Sequence, residues 1–474
     1  LPALRRPSTV AVPSGFAPPR LEDPATAAVK ALFVVAALGI GVLAGIEPPL
    51  ALALAVSVAF VLVVLSNLAV GIVLFVFVTF LEVLPLGANP TISAVKLVGV
   101  LLFLSWLAVL AARRDTGEVV ELIKSHPAYA GLLALLIGWC TLSIGWAEDA
   151  AGSRTAILRF ALDFGLFFIF ITALTKRRYF IWAFWAFVAG SLTSAMYGLV
   201  KTQAFDVAGR LSGAGTNAND LAAVLVASLV LTVALAAWYK PSPILRLIAI
   251  AAGLACVTLT FLTLSRAGLL SLGVVLVFAV LVASRQRGKV LVLALVAVIG
   301  VVGYFAFLAP PSARERVTSV GSGTGRTDVW RLGARMIEAH PVLGVGIANF
   351  AQTSLHFVNE PGRLDTENKG EALVAHNIYL ETLAELGIVG LLIFLPVLGA
   401  PMWMTLKAAR NFGAAGDLRT EALARAVFVA QMAMLSAAFF ASIQYNKQLW
   451  ILLAFGPALL AVSRSSPAEE PNPA

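Results

Sequence analysis

Apolar runs of about twenty residues recur along almost the whole chain, separated by short polar, Gly- or Pro-marked breaks. A helix of that length crosses the hydrocarbon core of a bilayer, where every backbone polar group must be satisfied within the segment. The candidate spans are 28–46, 49–66, 68–86, 93–112, 129–146, 155–174, 178–200, 218–238, 244–263, 266–284, 289–308, 387–408, 422–442 and 446–463. The first three run close together, so the count is about twelve to fourteen. With 60% hydrophobic and only 12% charged residues, the chain lacks the polar surface to cover a water-soluble body of this size. The expected fold is an all-α polytopic membrane protein with one long external loop that contains an amphipathic helix. Cys140 and Cys256 lie inside apolar runs and read as packing residues, and the four histidines have no metal-site spacing.

Lys and Arg in the short loops set the orientation. With the N-terminus inside, Arg113, Arg114 and Lys124, then Lys176, Arg177 and Arg178, then Lys240 and Arg246, then Arg285, Arg287 and Lys289, then Lys407, Arg410 and Arg419 all fall on the cytoplasmic side. The expected layout is a disordered cytoplasmic tail over 1–27, spans over 28–308, an external loop over 309–375, spans over 376–463 and a second disordered tail over 464–474. The external loop balances seven basic against seven acidic residues, so the net +9 belongs mostly to the cytoplasmic face. That is ordinary attraction to membrane lipids and implies no nucleic acid.

Given this orientation, two outward arginines carry information. Arg210 sits in VAGRLSGAGTNANDLA just before a span, and Arg266 in LTLSRAGLLSL where two spans meet almost without a loop. A charge at membrane depth costs about 2.5–3.5 kcal/mol on insertion scales, less where the side chain snorkels to the interface. Each is therefore a snorkelling anchor or an anion ligand, since guanidinium matches phosphate oxygens two at a time. Arg266 has no acidic partner nearby in sequence. Around Arg210, Gly209, Gly213, Gly215, Asn217 and Asn219 make either an anion-holding loop of backbone amides or a turn with an Asn N-cap.

In the long loop, Val329, Trp330, Leu332, Met336 and Ile337 share one face of a helix that Pro341 ends. Arg326 projects toward that apolar side. The helix lies on the membrane boundary, roofs a cavity or packs on the tops of the spans. The stretch GVGIANF after it reads as a tight turn. Then AHNIYLETLAELGIVGLLIF opens a span with His376, Asn377, Tyr379, Glu381 and Glu385. A rim histidine is either merely tolerated or a general base. Glu381 and Glu385, one turn apart, need hydration, protonation or partners. Trp330, Phe350 and Tyr379 stack on sugars or simply pack. No external acidic cluster has metal-ligand spacing, and Glu148 and Asp149 are adjacent and point in different directions. Together these features fit an anionic leaving group stabilised by arginines.

The motif order GRLSGAGTNANDLA, LTLSRAGLLSL, GRTDVWRLGARMIEAHPVLGVGIANF and AHNIYLETLAELGIVGLL resembles that of the O-antigen ligase superfamily of bacterial membrane glycosyltransferases, over roughly residues 205–395. The resemblance implies that a glycan moves from undecaprenyl diphosphate to an acceptor hydroxyl on a lipid or another glycan, at the external face of the inner membrane. It implies that Arg210 and Arg266 hold the diphosphate and that His376 activates or positions the acceptor. No metal or cofactor is implied, and the displacement inverts. Asn217, Asn219, Arg326, Trp330, Asn377, Tyr379 and Glu381 are candidate substrate contacts. The family holds both ligases and polymerases, and the motifs do not separate them. A transporter would use Asp163 and Glu82 near the midplane, but the notable charges gather at one face.

Overall fold

The computed structural model describes residues 37–47, 51, 55, 58, 63–64, 67–82, 94–112, 126–200, 209–239, 242–283, 285, 287–308, 314, 326–358 and 373–465. The expectations for the first tail, for residues 466–474 of the second and for the basic loop at 113–124 lie outside these residues, whereas Arg464 and Ser465 continue a helix in place of a disordered tail. The chain divides into two units, Leu1–Leu62 and Val63–Ala474. In the first, the apolar helix α1 (Ala37–Ile46) is described.

The described residues of the second unit are mostly helical and include no strand, only one isolated bridge between Gly213 and Thr216. In chain order it comprises α2 (Leu68–Val78), α3 (Ala94–Ala112), α4 (Pro127–Ser143), α5 (Ala150–Ala173), α6 (Arg177–Val200), α7 (Ala218–Ala234) and α8 (Pro243–Leu262). Then come α9 (Arg266–Val282), α10 (Arg287–Gly303), α11 (Arg326–Ala339), α12 (Phe350–Val358), α13 (Ile378–Ala414), α14 (Leu418–Ala437) and α15 (Lys447–Ser465). Eight helices among the described residues are long and apolar enough to cross a membrane. The shorter apolar helices α1, α2 and α9, an apolar stretch of α3 (Val98–Leu110), and α15 fall on further expected spans.

Helix starts follow local chemistry. Asn67, Asp149, Asn217, Ser265, Asn377 and Asp417 each accept first-turn amides, and Pro127 and Pro243 stand where a missing N–H costs nothing. The core is aromatic where α5, α6 and α15 meet: Phe160, Phe164 and Phe167 surround Trp450, and Phe170 and Phe184 pack on Phe455. By contrast, α10 turns Leu291, Val292, Leu295 and Ile299 outward, each 58–63% exposed. An apolar face of that extent suits lipid and would not persist in water. Cys140 and Cys256 are buried and unpaired in disulfides.

Residues 326–358 of the long loop pack on the span ends. Helix α11 buries Val329, Leu332, Gly333 and Met336 against α12 and α13, with Gly333 close under Leu380 and Phe350. Of the placements open to this helix, packing on the tops of the spans is the one adopted. Arg326 is its first residue.

Candidate active site

Two groups of candidate residues form at the starts of helices. The first is built where the segment before α7 meets the corner between α8 and α9. The Leu211 amide donates to the Leu262 carbonyl at 3.1 Å, which lays Arg210 along that corner. Arg210 Nε donates to the Thr263 carbonyl (3.2 Å) and Nη2 to Asn219 Oδ1 (2.6 Å). The Ser265 hydroxyl donates to the same Asn219 oxygen at 2.8 Å. Ser265 also caps α9, accepting from the Gly268 amide at 3.1 Å, and Arg266 is the first residue of that helix. Arg210, Asn219 and Ser265 thus form one cluster, and Arg266, the residue after Ser265, stands at the positive end of the α9 dipole. Asn217 plays a different part, because its oxygen accepts the Asn219 and Asp220 amides and caps α7.

The second group surrounds the start of α13. Asn377 caps the helix through the Tyr379 and Leu380 amides. His376, just before the cap, keeps one side open to solvent. Desolvation by the surrounding protein first, then the positive charge of Arg326, holds its imidazole below the ordinary histidine range. At neutral pH the imidazole is therefore uncharged. Trp330 Nε1 donates to the Ala375 carbonyl at 3.0 Å, which fixes the α11 start beside the histidine. The Tyr379 hydroxyl donates to the Leu435 carbonyl at 2.9 Å, and its ring lies 4.7 Å from Phe439.

Helix α14 connects the groups. The Ser271 hydroxyl, in the second turn of α9, donates to the Ala433 carbonyl at 2.7 Å, two residues from the carbonyl that Tyr379 reaches. The helix that Arg266 opens and the helix that follows His376 therefore each bond to a carbonyl near the end of α14. Both chain segments bend sharply just before these helices. Leu264 (φ 48°), next to Ser265, and His376 itself (φ 49°) lie in the left-handed region. That conformation costs an L-residue about 1–2 kcal/mol and survives only where the surroundings dictate it.

The two glutamates are fully engaged. Glu381 accepts from the Ser442 hydroxyl and from Gln444 Nε2 (2.7 Å) and is buried, so it braces the turn between α14 and α15 instead of facing a wet cavity. Glu385 accepts the Phe350 amide at 3.0 Å and so caps α12; its partner is backbone, not a basic side chain. The GVGIANF turn is confirmed in detail: Gly344 and Gly346 have positive φ, and the Val345 and Gly346 amides reach the carbonyls of Ala384 and Glu385.

Sequence reasoning passed over Arg159 and Lys447. Arg159 stands 5.8 Å from the centre of the Tyr445 ring, and Lys447 pairs with Glu82 at 2.6 Å. A charge in the middle of AILRFALDFG was the available signal for Arg159. Asp163 and Glu82, the residues a transporter reading would need, belong to this neighbourhood at the α15 start. Among the described residues, no three of His, Cys, Asp and Glu stand together as a metal site would require.

The class defined by this fold is a multi-pass, all-α membrane protein with basic and imidazole groups gathered at helix starts. Residues 251–395 match the family model described as O-antigen ligase, so that stretch of the chain is similar to this family. The match takes in Arg266, Arg326, Trp330, His376, Asn377, Tyr379 and Glu381, and stops short of Arg210, Asn217 and Asn219. No curated protein matches the chain.

Proposed function

We propose that this protein transfers a glycan from undecaprenyl diphosphate to an acceptor hydroxyl, without a metal, at the external face of the inner membrane, with both termini cytoplasmic. The observation that carries the reading is the hydrogen-bonded join of Arg210 and Ser265 through Asn219 at the start of the helix that Arg266 opens.

In this mechanism neutral His376 takes the proton of the acceptor hydroxyl. The hydroxyl oxygen attacks the anomeric carbon of the donor while the bond from that carbon to the diphosphate oxygen breaks. Attack from the face opposite the leaving group inverts the anomeric centre. The charge that develops on the departing diphosphate is met by Arg210 and Arg266, positioned before the reaction so that no reorganisation is needed. Asn219 and Thr263 hold the Arg210 fork in place, Asn217 and Asn377 fix the two helix starts, and desolvation, helped by the charge of Arg326, keeps the imidazole unprotonated. Trp330, Tyr379 and Glu381 hold the rim in shape around the acceptor.

The test is reconstitution of the purified protein in detergent with undecaprenyl-diphosphate glycan and candidate acceptors, with and without chelator. A single mobility shift onto a new acceptor, unaffected by chelator, is the result expected of a ligase. A ladder of lengths on the same lipid identifies a polymerase. Absence of any conversion unless a closed vesicle and a gradient are supplied overturns the enzyme reading.

A further inference from the structure

A cavity of about 490 Å³ lies apart from both residue groups, between the α4–α5 corner and the segment that joins α11 to α12. Its walls carry Trp146 and Glu148 from the corner, His340 from the end of α11, and Thr353 and His356 from α12, with residues 341–345 beneath. The volume falls in the range of small-ligand sites, about 300–1,000 Å³.

The chemistry of these walls is distinctive. Trp146 is 38% exposed and propped edge-on by Trp139, ring centres 6.0 Å apart, whose own Nε1 donates to the Leu386 carbonyl at 3.0 Å. His356 Nε2 lies 3.0 and 3.1 Å from the two Glu148 oxygens, and both side chains remain open to solvent, at 65% and 40%. An aromatic plate beside a carboxylate, an imidazole and a hydroxyl suits a sugar: the plate takes the C–H face of a pyranose and the polar atoms take its hydroxyls. Among the described residues no Lys or Arg lines the cavity, so its chemistry is not that of a phosphate site.

The walls are held rigid. Asn349 accepts the Asp149 amide at 2.6 Å and donates to Ser153 Oγ (2.9 Å) and the Ile347 carbonyl (2.8 Å). The Ile347 amide donates to Ser143 Oγ at 3.1 Å. Gly346 (φ 99°) approaches Ala147 so closely that a Cβ would stand 2.6 Å from the alanine methyl. Such bracing is what a preorganised ligand site requires. Helix α11 measures the distance to the histidine: its first residue, Arg326, acts on His376, and its end runs into His340. Fourteen residues at helical rise span about 20 Å, more than one sugar ring.

We propose that this cavity is a binding subsite for a neutral stretch of glycan several sugars removed from the reacting end, with Trp146 stacking on a ring and Glu148, His356 and Thr353 binding its hydroxyls. Which glycan it holds rests on the proposed transfer reaction; that it binds neutral sugar does not. The deciding experiment is saturation-transfer NMR on the full chain in detergent with free maltotriose, mannotriose, chitotriose and galactotriose. At least one probe should give contact signals that fall tenfold or more in Trp146→Ala and Glu148→Gln, persist in Trp146→Phe, and persist in Arg266→Ala. Size-exclusion elution confirms that each variant is folded. No signal from any probe, or signals that survive both Trp146→Ala and Glu148→Gln, overturns the subsite. With lipid-linked glycans of mixed length, His356→Gln should lower the ratio of long to short products; an unchanged ratio overturns the length role. Sugar binding without any transfer would count against the transferase reading and leave the subsite standing.

Discussion

His376 combines three properties that a general base needs: a position at the rim of a span, partial desolvation and a neighbouring positive charge. Desolvation and Arg326 both disfavour the imidazolium, so the neutral form persists to a lower pH than in a fully hydrated histidine. Transfer activity should therefore hold down through the ordinary histidine range and fail on an acid limb whose midpoint lies below about 6.5. Arg326→Gln removes one of the two causes and should move that limb upward. A limb that does not move shows that Arg326 does not tune the base. Arg266→Ala should lower kcat by roughly 10²–10³-fold, the usual loss on removing one preorganised donor to a developing anion. Arg266→Lys keeps the charge without the planar fork and should fall in between. Full activity in Arg266→Ala would remove this residue from the mechanism. As candidates these residues were visible in the sequence, because a charge or a histidine beside an apolar run stands out against its neighbours. What Asn219 does was not. Its position two residues after the capping Asn217 gives no sign that it ties Arg210 to Ser265, 46 residues away.

Among the helices, α13 shows how a local break serves a distant segment. At Gly387 (φ 67°, ψ −172°) the backbone leaves helical geometry for a conformation nearly confined to glycine. There the chain from Pro341 to Gly346 docks: the Ile388 amide reaches the Pro341 carbonyl at 3.0 Å, and Glu385 turns its side chain to the start of α12. A Cβ on Gly387 would collide with the Val342 carbonyl. Gly387→Ala should thus cost more than about 3 kcal/mol, through strain and a clash with backbone that has no room to move. The measurement is thermal stability by fluorescence-detected gel filtration, with Gly399→Ala as control, since nothing lies within 4 Å of a Cβ there. Equal stability of the two variants would mean that the break is incidental. The ELG sequence reads as uninterrupted helix because neither flanking residue is a breaker and the reason for the break lies about forty residues upstream.

For the molecule as a whole, the two native cysteines offer a direct check of orientation. Both are buried, so an introduced cysteine reports with little background. Ala339 at the end of α11 and Ala415 after α13 are both exposed. In intact cells an impermeant maleimide should label Ala339→Cys at once and Ala415→Cys only after permeabilisation. The reverse pattern would invert the proposed sidedness and put the arginine and histidine clusters on the cytoplasmic face. The all-α, multi-pass class needed nothing beyond the sequence, because bilayer thickness and backbone satisfaction act on each segment separately, and twenty apolar residues state the answer locally. Partnership is another matter. Glu385 looked like a charge in want of a cation and became a helix cap; Glu148 looked idle and met His356 across 208 residues. Such pairings arise because a buried or crowded polar group takes whatever partner the packing of helices brings within about 3 Å, and no local pattern encodes which helix that will be.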